Sequence, residues 1–234
     1  SEKPLHVDTL AGIQAETEGA FHLFFLVLEL LGQSDAGELD DAGTTLLRLA
    51  TSLAKLTTGK QVVAVASEAM ECFGGIGYLE DTPMPVLLRD GQVLPIWEGT
   101  TNVLSLESIR ALSREGTLLA LRDRLGGLVG GARDAALVEA GKTALRAFEH
   151  AESWLASTVA SGPAVEAGAR RLALTLGRSL ELALLVRHAQ WSLDTEHDGR
   201  ARAAARRFAQ TPIDLVVDVD AADSIALANE LPAP

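Results

Sequence analysis

One acidic residue stands inside an apolar run and directly before a glycine, an arrangement suited to acid–base chemistry. The stretch 96–102 reads IWEGTTN, with Glu98 after isoleucine and tryptophan. Burial disfavours the charged form of a carboxylate, so Glu98 in such a run is a candidate general base. Gly99 permits another group to approach the backbone closely, and Thr100 and Asn102 carry donors for a bound ligand. The alternative is an acid that only faces the dipole of the following helix.

A glycine-rich turn at residues 74–77, which reads GGIG, is the second candidate feature. A dinucleotide-binding fingerprint requires a preceding strand and a following helix, whereas a long helical pattern precedes this turn. Gly74 and Gly75 therefore indicate either a helix C-cap or a backbone open enough to lie against a cofactor.

Motifs for metal, phosphate or nucleophile chemistry do not emerge from the sequence. The five histidines share no metal-ligand spacing, and Cys72 is the single cysteine. Neither a Walker phosphate-binding loop nor a serine nucleophile elbow is present. The one basic cluster is formed by the arginines between residues 200 and 207, for which an ion-paired helix face is favoured over a nucleic-acid site.

Composition indicates a helical protein. Of the 234 residues 47% are hydrophobic but only 4% are aromatic, and alanine and leucine dominate. A net charge of −12 argues against a nucleic-acid partner, because such binding needs a basic surface. A lone cysteine is typical of a reducing compartment, which predicts a cytoplasmic location. No apolar run is long enough to predict a membrane span.

Two long antiparallel helices are expected to position the candidate residues. Apolar residues recur every three or four positions in two stretches, separated by a polar loop at 33–41 with a capping aspartate. The first stripe comprises Leu10, Ile13, Thr17, Ala20, Phe24, Leu28 and Leu31, with Gly32 as the expected helix end. The second comprises Leu46, Leu49, Leu53, Leu56, Lys60, Val63, Ser67 and Met70.

Helical patterns continue along the rest of the chain. They cover 100–115, 133–158, 163–193 and 199–210. Glycines at 126–131 predict a connector, 215–219 is the best but weak strand candidate, and the acidic stretch from Asp218 is expected to fray. We expect an all-α fold, with an up-down helical bundle at 1–115 and a helical C-terminal extension at 116–234.

Three stretches in order carry a resemblance to a known family. Residues 66–78 (ASEAMECFGGIGY), 88–90 (LRD) and 96–102 (IWEGTTN) resemble the C-terminal helical domain of the acyl-CoA dehydrogenase family. The resemblance covers residue 1 to about residue 115. The helices beyond it resemble the extra C-terminal region of longer members, including the AidB-like branch.

The resemblance implies FAD-dependent α,β-dehydrogenation of an acyl-CoA thioester in fatty acid metabolism. Glu98 would be the base that removes the α-proton, and Thr100 and Asn102 would touch the flavin of the same subunit. Glu71 and Gly75, with Gly74 beside them, would contact the FAD of a neighbouring subunit. The family therefore implies a dimer or tetramer, with electron-transfer flavoprotein as an expected redox partner.

The sequence departs from the family at three positions of these motifs. Glu71 stands where many members have glutamine, Asn102 replaces a longer glutamine, and Trp97 replaces a frequent tyrosine. The carboxylate of Glu71 accepts hydrogen bonds but donates none, so it would have to tolerate a phosphate-bearing cofactor or recognise another group.

Family members place an N-terminal helical domain and a middle β-domain before this region, and nothing in these 234 residues resembles them. The sequence also starts at serine, which fits a piece of a longer protein. We therefore expect the isolated chain to hold part of a cofactor site and to have little or no activity. Two alternatives remain: a non-catalytic oligomerisation module or short subunit whose partner supplies the missing domains, and an AidB-like alkylation-response protein.

Overall fold

The computed structural model describes residues 3–228, which are mostly helical and contain no strand, so the all-α prediction is confirmed for them. The helices are α1 (Pro4–Asp35), α2 (Asp41–Cys72), α3 (Gly75–Tyr78), α4 (Met84–Val93), α5 (Thr101–Leu112), α6 (Thr117–Val129), α7 (Ala135–Thr158), α8 (Gly162–Thr195), α9 (Arg200–Phe208) and α10 (Ala221–Ala228). The strand candidate 215–219 is irregular chain, although Val216 within it packs into the core.

The first two helices form the predicted antiparallel hairpin. α1 continues past Gly32 to Asp35, and the chain turns at Gly37, whose φ of 72° favours glycine. Asp40 then caps α2, because its side chain accepts a hydrogen bond of 2.7 Å from the backbone N–H of Gly43. A polar loop with a capping aspartate is confirmed, but it is shorter than the predicted 33–41, because residues 33–35 belong to α1 and Asp41 begins α2.

The buried face of α1 is not the predicted stripe. Leu10, Phe24, Leu28 and Leu31 are exposed, whereas the buried residues of this helix are Ala15, Gly19, Leu23, Leu26 and Leu30. α1 carries apolar residues on both sides, so spacing alone fits either face. The observed side is buried because α2, α8 and α9 all pack against it. α9 approaches most closely at Gly19, where an added Cβ would lie 2.8 Å from the ring of Phe208.

α2 and α8 form the centre of a single core. The predicted α2 residues Leu46, Leu49, Leu53 and Leu56 are buried, while Ser67, further along that stripe, is exposed. Every residue of α8 from 175 to 186 is buried, because α1, α2, α5, α6, α7 and α9 all pack around this helix. The extension therefore shares its core with the first bundle, and the division at residue 115 stays a prediction.

The predicted glycine connector is wrong at its first half. Gly126 and Gly127 lie inside α6, which buries Leu121, Leu125 and Leu128. Each internal glycine costs a helix about 1 kcal/mol. Burying three leucines at helical spacing outweighs that cost, since most helix stability in proteins comes from packing of the apolar face.

The arginine cluster of α9 is ion-paired, as predicted. Arg200 meets Glu18 at 2.7 Å and Arg202 meets Asp134 at 2.9 Å. Arg207 pairs with Asp8 through a second contact of 2.8 Å. These pairs fasten α9 to α1 and to the start of α7, which leaves less of the cluster free for an external anion.

Candidate functional site

The loop that carries Glu98 lies on α2. It joins α4 to α5 and comprises residues 94–100. Pro95 rests on Gly59, where an added Cβ would lie 3.5 Å from Pro95 Cα. The ammonium of Lys55, one turn earlier on the same helix, donates a hydrogen bond of 2.6 Å to the carbonyl of Leu94. The first half of the loop, at Leu94 and Pro95, is therefore the part that α2 holds.

Glu98 itself has a strained backbone. Its φ is 55°, and the following Gly99 has a φ of 116°. A residue with a side chain seldom adopts the left-handed region, and strain of this kind concentrates at functional sites. The turn brings Gly99 against Leu104, since a Cβ on Gly99 would lie 3.1 Å from its side chain.

The predicted burial of Glu98 is wrong for the residues described. Glu98 is exposed, and its apolar neighbours Ile96 and Trp97 are 61% and 53% exposed. The reason is that α2 lies under only one side of this loop. An apolar run in the sequence does not show which of its residues another element covers.

Thr100 and Asn102 lie directly beyond Glu98 at the start of α5. Thr100 precedes the helix with an extended backbone, and its side chain makes no capping hydrogen bond. Asn102 stands in the first turn, and both residues are exposed. The free N–H groups and positive dipole end of a helix favour negative or electron-rich groups at this position. The structure therefore brings Glu98, Thr100 and Asn102 to one surface.

Glu71, Gly74 and Gly75 form a second, separate surface. They lie at the end of α2 and the start of α3, and all three are exposed. Gly74 has a φ of 61°, and a Cβ on either glycine would meet nothing within 4 Å. α2 ends at Cys72 with Phe73 as its cap, so the two glycines follow the helix end directly rather than forming the cap, and their backbone is open to an incoming group.

The two candidate surfaces do not meet within this chain. Glu71 lies twelve residues beyond Gly59 on α2, which is roughly 18 Å at 1.5 Å per residue. Either one long ligand spans both surfaces, or each surface binds a different molecule.

A mostly apolar groove of about 330 Å³ runs between α1 and α2 and reaches Leu94 of the candidate loop. Its lining includes Ala20, Val62 and Val65, with Lys55 near one end. Glu16 and Gln61 supply polar groups to the same lining. The arrangement suits a chain-like apolar group.

A buried polar network beside this groove was missed from the sequence. Arg178 of α8 donates two hydrogen bonds, of 2.8 and 3.0 Å, to the carboxylate of Glu16 on α1. The amide nitrogen of Gln61 on α2 donates to Glu16 at 2.9 Å and to Glu181 at 3.1 Å. The available signal was an acid in an apolar run, since Glu181 lies between Leu180 and Leu182.

The pKa values of the two carboxylates in this network are shifted in opposite directions. Burial raises the pKa of Glu181 to about 8, against the opposing charge of Arg178. Burial also pushes the pKa of Glu16 upward, but the hydrogen bonds from Arg178 and Gln61 outweigh it and hold that pKa below its ordinary value. Glu181 is therefore largely neutral near pH 7 while Glu16 is charged.

Neither a metal cluster nor a membrane helix emerges from residues 3–228. Among them, no three His, Cys, Asp or Glu side chains converge as metal ligands do. No helix in this range combines the length and apolar character that crossing a bilayer demands.

Two family models match the chain over adjoining stretches. "Acyl-CoA dehydrogenase, C-terminal domain" matches residues 1–112, and "Acyl-CoA dehydrogenase 11 C-terminal domain-like" matches residues 118–230. The chain belongs to the acyl-CoA dehydrogenase family. The family comprises oxidoreductases that are generally FAD-dependent. The resemblance seen in the motifs around Gly74 and Glu98 is confirmed, including the longer type with a C-terminal extension.

Individual acyl-CoA dehydrogenases support the same assignment. Acyl-CoA dehydrogenase family member 11 of Caenorhabditis elegans is 42% identical over 196 residues, covering 81% of this chain and 32% of the relative. The putative acyl-CoA dehydrogenase AidB of Escherichia coli (strain K12) is 33% identical over 115 residues, covering 49% of this chain and 20% of AidB.

A solved structure extends the likeness to the fold. The crystal structure of Caenorhabditis elegans ACDH-11 in complex with C11-CoA matches with a TM-score of 0.85 at 38% identity, covering 94% of this acyl-CoA dehydrogenase chain and 38% of that one. This chain thus spans about a third of the length of the nematode protein.

Proposed function

We propose that this chain is the C-terminal helical part of an FAD-dependent acyl-CoA dehydrogenase and that Glu98 is its α-proton base. The observation that carries the proposal is the left-handed backbone of Glu98, with a φ of 55°, directly before Gly99. A side chain held in this costly conformation at the tip of an anchored loop fits a group whose position matters to chemistry.

Glu98 would act in its ionised form. Its carboxylate takes the proton from the carbon next to the thioester carbonyl, and the β-hydrogen leaves with its electron pair. The remainder of a longer protein would cover Ile96 and Trp97, which are more than half exposed here. That cover would exclude water from the carboxylate and the substrate carbon.

The residues present fit a flavin cofactor. Thr100 and Asn102 offer uncommitted, exposed side chains at the start of α5, and the backbone at Gly74 and Gly75 has open space around it. FAD, when bound, supplies the acceptor for the β-hydrogen as hydride. Thr100 and Asn102 would hold the cofactor used with Glu98, and Glu71, Gly74 and Gly75 would hold that of a neighbouring subunit.

The substrate class proposed is an acyl-CoA thioester, whose acyl chain lies in the groove between α1 and α2. The groove is mostly apolar and reaches Leu94, four residues before the proposed base. The structure of the nematode relative was solved with C11-CoA, which supports a substrate of this chemistry. Cytoplasmic location and electron-transfer flavoprotein as acceptor belong to the same proposal.

Glu98→Gln tests the role of the base in the complete product of the natural reading frame. Glutamine keeps the size of the side chain but accepts no proton, so the variant should retain its flavin absorbance and lose anaerobic bleaching by acyl-CoA. Glu107→Gln is the matched control, because Glu107 is an exposed acid on the neighbouring α5. Bleaching by Glu98→Gln at the rate of the control would overturn the proposal.

The isolated 234-residue chain provides a separate test. The chain is expected to hold only part of a cofactor site. We therefore expect it to show no flavin absorbance after incubation with FAD and dialysis against buffer without FAD. A stoichiometric yellow complex would contradict this expectation, although it would leave the base assignment open to the experiment above.

A non-catalytic assembly role is the second candidate, and one observation favours it. α1 exposes a contiguous apolar face comprising Phe21, Phe24, Phe25, Leu28 and Leu31. Such a face is typical of a protein interface. A dimer or tetramer of the isolated chain in light scattering would support assembly through these helices. The acidic net charge and the ion-paired arginines count against a DNA-related role.

A further inference from the structure

Lys55 of α2 contacts the candidate loop on both sides of Pro95. Its Nζ donates a hydrogen bond of 2.6 Å to the carbonyl of Leu94. The same Nζ lies 5.8 Å from the centroid of the Trp97 ring, within the range of a cation–π interaction. One side chain thus reaches the residues one and four positions before Glu98.

Gly59 completes the seat for this loop. It lies four residues after Lys55 and so on the same face of α2. The Cβ that glycine lacks would lie 3.5 Å from Pro95 Cα and 3.6 Å from Pro95 N. The absence of a long side chain at this position lets Pro95 descend onto the helix, where the Lys55 ammonium reaches the Leu94 carbonyl.

The loop needs an anchor of this kind. Glu98 and Gly99 both have left-handed backbones, and strained conformations persist only where the surroundings hold them. Apolar packing supplies little of that support, because Ile96 and Trp97 are mostly exposed. The amide of Trp97 bonds back to the carbonyl of Val93 at 3.1 Å, which ties the loop to α4 but not to α2.

An ordinary surface lysine would not show this pattern. Lysines on a helix usually face solvent or pair with a carboxylate, as Lys142 does with Glu139 at 2.7 Å. Lys55 instead directs its charge to a backbone carbonyl 39 residues away along the chain. Because a carbonyl is part of the backbone, a hydrogen bond to it restrains the chain itself. The contact therefore fixes the loop.

We propose that Lys55 is a positioning residue that holds residues 94–98 against α2 and thereby fixes the carboxylate of Glu98. The proposal rests on the proposed role of Glu98 for its functional consequence. Its structural part, the anchoring of the loop, stands separately and has its own measurement.

The structural measurement is amide hydrogen exchange of the 234-residue chain over residues 94–100. Lys55→Met keeps the aliphatic stem but removes the donor and the charge, so exchange of these amides should accelerate roughly tenfold or more. Lys60→Met is the matched control, because Lys60 is a partly buried lysine on α2 outside the seat of the loop. Equal exchange in the two variants would overturn the proposal.

The functional measurement uses the complete product of the natural reading frame with acyl-CoA. Misplacing a catalytic group by about 1 Å costs on the order of 100-fold in rate. Lys55→Met should therefore lower kcat by roughly 10- to 100-fold with little change in KM or flavin content. Lys55→Arg should restore much of kcat, since a guanidinium also donates to a carbonyl and stacks on tryptophan.

The outcomes separate the two proposals. Faster exchange with lower kcat in Lys55→Met, and recovery in Lys55→Arg, supports positioning. Unchanged kcat in Lys55→Met despite faster exchange contradicts it, because the anchored loop would not govern the base. If Glu98→Gln keeps proton abstraction, the proposed function fails, whatever the exchange data show. If Lys55→Met does not fold, Lys55→Gln, which removes the charge and shortens the side chain, replaces it in both measurements.

Discussion

Gly177 of α8 packs against Thr57 of α2 so closely that no side chain fits between the two helices. A Cβ on Gly177 would overlap the hydroxyl of Thr57, and both residues are buried. Thr57 lies in the part that matches the first family model, and Gly177 lies in the part that matches the second. This crossing is one of the contacts that join the extension to the bundle, and it is a very close one.

Gly177→Ala should therefore destabilise the chain, although alanine is the better helix former. Overpacking of a close helix crossing costs about 1–3 kcal/mol in the free energy of unfolding. Urea denaturation measures the loss. Thr57→Ala in the same chain should recover part of it, because the clashing hydroxyl is removed.

Gly126→Ala is the control for the helix-propensity effect. Gly126 also lies inside a helix, but its missing Cβ has open space around it. Alanine there should raise the free energy of unfolding by about 0.5–1 kcal/mol. If Gly177→Ala behaves in the same way as Gly126→Ala, the close crossing is not a constraint.

The Glu16–Arg178 pair should contribute more to stability than an exposed pair. Their side chains are 22% and 11% exposed, and Arg178 also donates to the carbonyl of Pro212 at 2.8 Å. Arg178→Met leaves a half-buried carboxylate without its partner, so we expect a loss of about 2–3 kcal/mol in urea denaturation. Lys142→Met breaks a pair that is more than half exposed and should cost much less, because water screens that pair. Similar losses in both variants would contradict this account.

Glu181 should make the protein less stable as the pH rises. Its side chain is fully buried, and burial raises its pKa to about 8 from an ordinary 4.5. The folded state therefore holds a proton that the unfolded state releases. The corresponding stability is complete below pH 4.5 and is lost as the pH rises toward 8, at up to about 1.4 kcal/mol per pH unit.

Glu181→Gln removes this titration. The free energy of unfolding of the variant should rise relative to that of the wild type as the pH increases from about 5 to 8. Urea denaturation across that range measures the difference. Glu107→Gln, which changes an exposed acid, should run parallel to the wild type. A constant difference between Glu181→Gln and the wild type across this range would refute the buried titration.

Glu98→Gly should stabilise the isolated chain while removing the proposed base. Glycine adopts a φ of 55° without the steric cost that a side chain incurs. Glycine also adds entropy to the unfolded chain, which offsets part of this relief. The net gain in the free energy of unfolding should be about 0.5–1 kcal/mol. Thermal denaturation measures it. Glu107→Gly, inside α5, should instead lower the free energy of unfolding by about 1 kcal/mol. A loss of stability in both variants would contradict strain at Glu98.

The sequence predicted the features that depend on neighbouring residues. The long helices follow from apolar spacing, the cap at Asp40 follows from its side chain, and the helix end near Gly74 follows from glycine's freedom. The motif around Glu98 also identified the family, because a short stretch carries it. Each of these signals acts over a few residues and so survives in the linear sequence.

Tertiary packing alone decided which surfaces are buried. α1 is apolar on both sides, and its packing against α2, α8 and α9, with Phe208 against Gly19, determines which side faces the core. Glu98 and Glu181 stand in similar apolar runs, yet Glu98 is exposed and Glu181 is fully buried. Burial depends on which distant segments cover a residue, as when Arg178 reaches Glu16 across 162 positions, and local sequence does not encode that meeting.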